Sequence, residues 1–310
     1  MINYMRISII IPVYNGSQTI GRLAEELIKQ VGNSYNLEIV LVNDCSPDNS
    51  RDACVEVQKR FPQHIKFYSL AKNVGEHNAV MAGLNKCTGD YAVIMDDDFQ
   101  NPITEVIKLI RYIVERGFDV VYTYYEEKKH SRFRNLGSTF NDRVANVMLR
   151  KPRGLYLSSF KAINRFTIDK IISYTSPFPY VDGLILRTTC YIGKIKVEHV
   201  AREVGKSNYT LKKLVSLWSN MFINFSILPL RIMIVVGFLF AVGAFIVGLF
   251  VVYEKFTNPS LPLGYPSLVI AILMLSGIQL ISIGVMGEYL GRMFLSQNKT
   301  PQYTIRESFE

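Results

Sequence analysis

The densest group of potential metal ligands is the run Asp96-Asp97-Asp98, which directly follows a short apolar segment at 91–95. Carboxylate oxygens are the ligands that Mg²⁺ and Mn²⁺ prefer, and a cation with few protein ligands also binds the oxygens of a diphosphate. Because Asp96 and Asp98 are two residues apart, both could reach one such cation. The alternative is a solvated acidic turn, or an acidic cap that suits the positive end of the following helix.

Further polar and aromatic residues follow two other apolar segments. Pro12, Tyr14 and Asn15 come at the end of the first segment, and Asp44 directly follows the second. An acidic side chain such as Asp44 accepts hydrogen bonds from a base or a ribose, while Pro12 and Tyr14 offer a rigid edge and a ring to a nucleobase. Simple packing is the alternative for Tyr14.

Strands and helices alternate in the part of the chain that carries these residues. Ser17 is a candidate cap for the first helix. The apolar patterns predict strands at 6–12, 37–43, 65–70, 91–95 and 119–124, and helices at 20–31, 50–60, 76–86 and 104–115. This order predicts an α/β fold with a doubly wound, mostly parallel sheet, whose ligands bind beyond the carboxyl ends of the strands. No GxGxxG follows the first strand and no GxxxxGK[ST] occurs, which argues against a Rossmann dehydrogenase and a P-loop NTPase.

The composition excludes several classes of protein. Of the 310 residues, 49% are hydrophobic and 20% are charged, which is too apolar for a disordered chain. The four cysteines show no CxxC spacing and are too few for a disulfide scaffold of this length. We therefore expect reduced thiols in a cytosolic setting.

Two long uncharged runs, 232–252 and 268–287, each have about the length that a helix needs to cross a bilayer. Two buried core helices are the alternative. Basic residues flank the pair on both sides, so both chain ends are expected on the cytoplasmic side. The predicted organisation is a cytoplasmic domain at 1–209, an amphipathic helix in the membrane interface at 210–228, a transmembrane hairpin at 229–291 and a cytoplasmic tail at 292–310. The alternative for 210–228 is a helix packed on the domain.

The net charge of +9 is concentrated in two stretches. Residues 128–153 contain eight basic residues and one acid, and residues 194–213 contain six basic residues and two acids. A basic surface next to a membrane attracts anionic headgroups and suits anionic substrates. Nucleic acid is not an expected partner, because aromatic residues are not interleaved with the basic ones. An ordinary solvated basic helix is the alternative for part of the first stretch.

The ordered segments IIPVYN, LVNDCSPDNS, NVGEHNAVMAG and GDYAVIMDDDFQNP resemble the motifs of family 2 glycosyltransferases of the GT-A fold. Within that family the chain resembles the dolichol-phosphate-mannose synthase branch, and most of all the bacterial polyisoprenyl-phosphate glycosyltransferases that act on undecaprenyl phosphate with aminoarabinose or glucosyl donors. AREVGKSNYTLKKL before the first apolar run and GEYLGR after the second also match. The resemblance implies a Rossmann-like GT-A catalytic domain, followed by a two-helix transmembrane hairpin.

The resemblance also implies an activity. The chain is expected to transfer a sugar, with inversion, from a nucleotide-diphosphate sugar to a polyisoprenyl phosphate at the cytoplasmic face of the bacterial inner membrane. UDP is the expected nucleotide, Mg²⁺ or Mn²⁺ the expected cofactor and a homo-oligomer a possible assembly. The alternatives are a processive polysaccharide synthase, or a non-catalytic protein that binds a nucleotide sugar or assists flipping.

Matching positions imply a role for each site residue. Asp96 and Asp98 would bind the metal, and Asp98, Gln100 and Arg134 would act in catalysis. The nucleotide sugar would contact Pro12, Tyr14, Asn15, Asp44, Asp96 and Asp97. The acceptor phosphate would contact Arg143, Lys161, Arg202, Lys206 and Ser207. Many relatives carry an Asp followed by Phe-Arg where this chain reads Ser158-Ser159-Phe160-Lys161, which leaves the sugar open.

Overall fold

The computed structural model describes residues 5–125, 151–152, 154–198, 200, 228–257 and 264–310. The chain forms two compact units. The first comprises Met1–Leu214 together with Lys299–Glu310, and the second comprises Val215–Asn298. The predicted interface helix at 210–228 lies outside the described residues, apart from Leu228.

The first unit is built on one sheet, to which the described residues contribute eight strands in the order β7-β5-β6-β4-β1-β2-β3-β8. Their bounds are β1 (Arg6–Val13), β2 (Asn36–Asn43), β3 (Ile65–Leu70), β4 (Tyr91–Ile94), β5 (Val120–Tyr124), β6 (Lys161–Asn164), β7 (Ile192–Lys196) and β8 (Ile305–Phe309). Parallel pairing joins β4, β1, β2 and β3, and also β5 with β7. Only β6 and β8 run antiparallel to their neighbours among these strands. The predicted α/β fold with a mostly parallel sheet is therefore confirmed.

Six helices of this unit lie among the described residues. Their bounds are α1 (Ile20–Gln30), α2 (Ser50–Arg60), α3 (Glu76–Lys86), α4 (Ile103–Arg116), α5 (Arg165–Ile172) and α6 (Val181–Thr188). Alternate residues of β1 face opposite sides of the sheet, so Ile9 joins the core that contains residues of α1 and α4, while Ile10 faces α3. Gly83 lets α3 approach this second face closely, because a Cβ there would lie only 2.4 Å from Cγ2 of Ile10.

The start of α1 differs from the prediction. The helix begins at Ile20 with Thr19 in the cap position, and the backbone N–H of Ser17 donates to the carboxylate of Asp48 at 3.2 Å. Ser17 is thus part of a link between two loops and does not cap the helix. The bounds of α2, α3 and β3 agree with the predicted ranges.

The C-terminal segment adds a strand that the sequence analysis did not assign. β8 pairs antiparallel with β3, and the ring of Phe309 stacks on that of Phe67 with centroids 5.8 Å apart. The hydroxyl of Tyr68 donates to the carboxylate of Glu310 at 2.8 Å. Upstream, the amide of Gln302 donates to backbone carbonyl oxygens in the 174–176 segment. The last residues of the chain therefore cover the edge of the sheet that β3 would otherwise expose.

Replacing Phe309 with alanine is expected to lower the free energy of unfolding by about 1–3 kcal/mol, since a partly buried ring leaves the core face of β3. The neighbouring Ser308 is exposed, so Ser308→Ala serves as the matched control and should change stability by less than about 0.5 kcal/mol. Denaturant unfolding of the detergent-solubilised protein measures both. Equal effects of the two substitutions would contradict a packing role for β8.

The second unit contains two long helices, α7 (Leu228–Thr257) and α8 (Tyr265–Gln297). Within the described residues, the segment Pro229–Phe250 of α7 is long and apolar enough to cross a membrane. The Ser282 hydroxyl of α8 lies 3.6 Å from the Met233 sulfur of α7, so the two helices touch. Both uncharged runs are therefore helical, as predicted. A membrane crossing by both helices stays a prediction.

Candidate active site

The strands that precede the candidate residues are neighbours at the centre of the sheet. β1 lies between β4 and β2, and Val13 pairs with Asn43 at their carboxyl ends. Ile10 pairs with Ile94 near the end of β4. The segments that follow these three strands therefore meet at one edge of the sheet, as a doubly wound fold requires.

The backbone turns sharply after each of these three strands. Asn15, Cys45 and Phe99 have positive φ angles of 62°, 50° and 58°, which non-glycine residues seldom adopt. Such conformations cost of the order of 1–3 kcal/mol each and cluster at functional sites. The N–H of Asn15 also donates to the hydroxyl of Ser46 at 2.8 Å, which ties the first two segments together.

Asp44 lies in this edge as a buried carboxylate, with 4% of the residue exposed. Its two oxygens accept the N–H groups of Val74 and Gly75 at 2.8 and 2.9 Å. Burial raises the pKa of the Asp44 carboxyl, and these two hydrogen bonds oppose the rise. Asp44 therefore fixes the loop before α3, and each oxygen keeps a second lone pair for a ligand.

The residues expected around a nucleobase lie at the same edge. Tyr14 is 39% exposed, Asn15 is exposed, and Pro12 pairs with Val42 inside the sheet. An open aromatic ring beside an acidic residue suits a base and its ribose.

Asp48 is a residue of this edge for which the sequence analysis proposed no role. Burial opposes its ionisation, but hydrogen bonds from Ser46 and Ser50 hold the pKa of its carboxyl below the usual range. The N–H of Ser17 donates to it as well, so Asp48 ties the loop after β2 to the loop after β1. The one sequence signal was two serines around an aspartate in a loop, a common turn pattern.

The three consecutive aspartates have different environments. Asp96 is half-buried and accepts a hydrogen bond from the Ser159 hydroxyl at 2.9 Å. Asp98 is 6% exposed and accepts the N–H of Gln100 at 3.1 Å. Asp97 lies against Gly16, where an added Cβ would be 1.9 Å from its Oδ2 atom. Burial, together with the neighbouring Asp96 and Asp98 charges, raises the pKa of the Asp97 carboxyl to about 7.

Two of these carboxylates fit a hard divalent cation. Asp96 and Asp98 supply oxygen donors, and the mutual repulsion of the three acids would be relieved by positive charge. No group of three or more His, Cys, Asp and Glu residues arranged to hold a metal occurs in the part of the chain that the structure describes. A cation here would therefore take several ligands from water or a substrate, as Mg²⁺ commonly does.

Lys161 lies at the start of β6 with its ammonium group buried. It forms an ion pair with Asp182 at the start of α6, and only 3% of Lys161 is exposed. The hydroxyl of Tyr122 donates to the same carboxylate oxygen at 2.9 Å. The charge that the sequence analysis assigned to the acceptor phosphate is thus engaged inside the protein.

Five other candidate residues lie outside the described ranges. They are Arg134, Arg143, Arg202, Lys206 and Ser207. Their roles in catalysis and acceptor binding stay predictions.

His77 is the second residue of α3, and its lowered pKa leads us to expect that folding stability depends on pH. Its ring packs edge-on against the ring of Tyr180, with the two ring centroids 4.9 Å apart. Burial lowers the pKa of His77 to about 4. The negative charge of Asp182 opposes this shift, and the positive charge of Lys161 adds to it. An unfolded histidine has a pKa near ~6.5, so the unfolded chain binds the proton first and folding stability falls as the pH drops from about 6.5 towards 4.

The wild type should therefore lose up to about 1.4 kcal/mol per pH unit more than His77→Gln, which carries no titratable group. Unfolding measured at pH 7, 6 and 5 gives both slopes. Parallel curves for the two proteins would show that His77 is not held neutral by the fold.

Comparison with known proteins identifies the family. The family model described as Glycosyl transferase family 2 matches residues 8–177, which include the whole edge described above. Undecaprenyl-phosphate 4-deoxy-4-formamido-L-arabinose transferase of Proteus mirabilis (strain HI4320) is 30% identical over 314 residues, covering 97% of this chain and 93% of that protein.

Solved structures share the fold at low sequence identity. Glucosyl-3-phosphoglycerate synthase from Mycobacterium tuberculosis, in complex with UDP, superposes with a TM-score of 0.51 at 15% identity, covering 69% of this chain and 76% of that one. Mannosyl-3-phosphoglycerate synthase from Rubrobacter xylanophilus superposes with a TM-score of 0.53 at 15% identity, covering 70% and 71%. These likenesses confirm the predicted GT-A-like fold of the first unit. With the family model matching more than half of its length, the chain belongs to glycosyl transferase family 2.

Proposed function

We propose that this protein transfers a sugar from a nucleotide-diphosphate sugar to the phosphate of a polyisoprenyl phosphate such as undecaprenyl phosphate. The observation that carries the proposal is the 30% identity to the Proteus mirabilis transferase across nearly the full length of both chains. That match extends beyond the family 2 domain into the two long C-terminal helices. The acceptor of the relative, as its name states, is a lipid phosphate, which suits a chain that contains two basic stretches and a long apolar helix.

UDP and a divalent cation are the proposed donor nucleotide and cofactor. A glucosyl-3-phosphoglycerate synthase from Mycobacterium tuberculosis with a TM-score of 0.50 has been solved in complex with Mn²⁺, UDP-glucose and phosphoglyceric acid. In this chain Asp96 and Asp98 would hold the cation, which supplies charge stabilisation at the leaving diphosphate. Asp44 and Tyr14 would bind the nucleoside.

The neighbours of those residues complete the donor site in this proposal. Pro12 and Asn15 would flank the nucleoside, and Asp97 would contact the nucleotide sugar near its diphosphate. Gln100 would orient the sugar or the incoming phosphate, since its own backbone already bonds Asp98.

The reaction needs no general base. A phosphate monoester has its second pKa near ~6, so the acceptor is largely a dianion at neutral pH. One of its oxygens attacks the anomeric carbon while the bond from that carbon to the diphosphate oxygen breaks. The nucleoside diphosphate leaves, and a single displacement inverts the anomeric centre. This chemistry agrees with the presence of serines at 158–159, in a segment where many relatives carry an aspartate that could act as a base.

Basic residues near the membrane would bind the acceptor phosphate. Arg143 lies in the basic stretch 128–153, and Arg202, Lys206 and Ser207 lie between β7 and the first apolar helix in the sequence. Arg134, in the same basic stretch, would act in catalysis. Basic residues before α7 and after α8, with few in between, favour both ends on the cytoplasmic side. We accordingly propose a multi-pass protein of the bacterial inner membrane. A homo-oligomer is part of the same proposal.

The experiment combines the detergent-purified protein with undecaprenyl phosphate, Mn²⁺ or Mg²⁺ and a panel of UDP- and GDP-sugars. Mass spectrometry of the lipid fraction should show one new lipid-phosphate sugar, which disappears when EDTA is added. No product with any donor, from a protein that binds UDP, would overturn the proposal. Product that persists in EDTA would remove the metal from it.

A further inference from the structure

The segment that precedes β6 lies beside the aspartates that follow β4. β6 is antiparallel to β4, and Lys161 at its start pairs with Ile94 at the end of β4. The residues just before β6 must therefore lie beside those just after β4. Ser159 fulfils this geometry, because its hydroxyl donates to Oδ2 of Asp96 at 2.9 Å although the two residues are 63 positions apart.

Ser159 is held from both sides in the chain. On one side, Ser158 is buried and its Oγ atom accepts the N–H of Phe160 at 3.2 Å. The hydroxyl of Thr123 lies 3.0 Å from the same Oγ atom and 2.7 Å from the Phe160 carbonyl oxygen. On the other side, the buried ion pair of Lys161 with Asp182 fixes the start of β6. Ser159 thus has a fixed backbone, and its hydroxyl has a defined direction.

A fixed donor has a specific effect on a carboxylate ligand. The hydrogen bond to Oδ2 uses one of the roughly four lone-pair sites of the Asp96 carboxylate and restricts rotation of that carboxylate. Groups that hydrogen-bond to metal ligands commonly contribute 10–100-fold in metal affinity, because the ligand no longer has to be ordered when the metal binds.

We propose that Ser159 is a positioning residue that orients Asp96 for a divalent cation. The inference rests on the cation of the proposed function and adds a residue to it. Ser159 does not touch the reacting atoms in this proposal. The Lys161–Asp182 pair then acts indirectly, by fixing the strand from which Ser159 reaches Asp96, and the buried Lys161 ammonium has this role in place of a direct contact with the acceptor phosphate.

The test measures Mn²⁺ binding to the full-length protein by electron paramagnetic resonance in the presence of UDP, without any transfer step. Ser159→Ala should weaken Mn²⁺ binding about tenfold. Ser159→Thr, which keeps the hydroxyl, should restore most of the affinity. The exposed Ser173, whose hydroxyl donates to the Lys170 carbonyl oxygen, gives the matched control Ser173→Ala, which should bind Mn²⁺ like the wild type. Thermal unfolding checks that each variant is folded.

Unchanged Mn²⁺ affinity in folded Ser159→Ala would overturn the inference, and so would threonine binding as weakly as alanine. If the alanine variant does not fold, Ser159→Cys retains the size with a weaker donor and must show weakened binding. A wild type that binds no Mn²⁺ would overturn the inference as well. A wild type that binds Mn²⁺ and UDP but transfers no sugar would refute the proposed function and leave the role of Ser159 standing.

Discussion

Replacing Asp98 with alanine is expected to lower the rate of sugar transfer about a thousandfold, the largest effect of any single substitution in this site. Asp98 is buried at the edge where β1, β2 and β4 end, and it carries one of the two carboxylates proposed to hold the cation. Without it, negative charge that grows on the leaving diphosphate loses its stabilisation in the transition state. The turnover number in the lipid-product assay measures the loss.

Two further variants separate charge from folding. Asp98→Asn keeps an oxygen that can accept the N–H of Gln100 and should still be strongly impaired, because it removes the negative charge. Asp52 lies on α2 with 60% of its side chain exposed, so Asp52→Ala is the control and should keep wild-type turnover. Transfer by folded Asp98→Ala at more than a tenth of the wild-type rate would contradict the assigned role.

Replacing Lys161 with methionine is expected to lower the free energy of unfolding by about 3–5 kcal/mol, because Asp182 is then left as a buried charge without its cation. Both side chains of this pair are less than 10% exposed. The hydroxyl of Tyr122 remains as one donor to Asp182, which is too little to replace a full positive charge. Denaturant unfolding of the detergent-solubilised protein measures the loss.

The double variant Lys161→Met/Asp182→Leu should recover much of that stability, because no uncompensated charge remains in the interior. The exposed pair Arg60–Glu25, which joins α2 to α1, is the matched control, and its removal should cost less than about 1 kcal/mol. Strictly additive single effects at Lys161 and Asp182 would show that the two groups do not depend on each other.

Much of the sheet could be predicted because its central strands are long apolar runs between helices with regular spacing. β6 (KAIN) and β7 (IGKIK) contain lysine, asparagine or glycine, whereas the equally short β4 (YAVI) and β5 (VVYTY) are mostly apolar and β-branched. α5 and α6 have only eight residues each, which gives a helical pattern too short to identify. β8 does alternate in burial along Ile305–Phe309. That pattern stands alone after a long apolar helix, and nothing local indicates that its partner is β3, more than 200 residues earlier.

In the candidate site, too, the residues could be predicted from the sequence but the contacts between loops could not. Asp44, Asp96 and Asp98 could be predicted because residue type and position after a strand place them at one edge. The sequence could not show that the two oxygens of Asp44 accept the N–H groups of Val74 and Gly75, since those donors come from another loop. Contacts of this kind depend on how loops meet in three dimensions, as does the hydrogen bond from Ser159 to Asp96.

The burial of Lys161 could not be predicted from the sequence for a related reason. A lysine after a serine-rich turn has the pattern of a solvated residue, and lysine is seldom buried unless it is paired. Its partner Asp182 lies 21 residues later, on a helix that the sequence analysis did not assign. The pairing therefore appears only once β6 and α6 are placed together.

A comparison of acceptors decides whether this family 2 site delivers its sugar to a lipid phosphate. One donor is offered in parallel with undecaprenyl phosphate, with undecaprenol and with 3-phosphoglyceric acid, the acid bound by the structural neighbour. We predict a glycosylated product with undecaprenyl phosphate alone, and none from Asp98→Ala. Product from 3-phosphoglyceric acid or undecaprenol, without product from the lipid phosphate, would contradict the account.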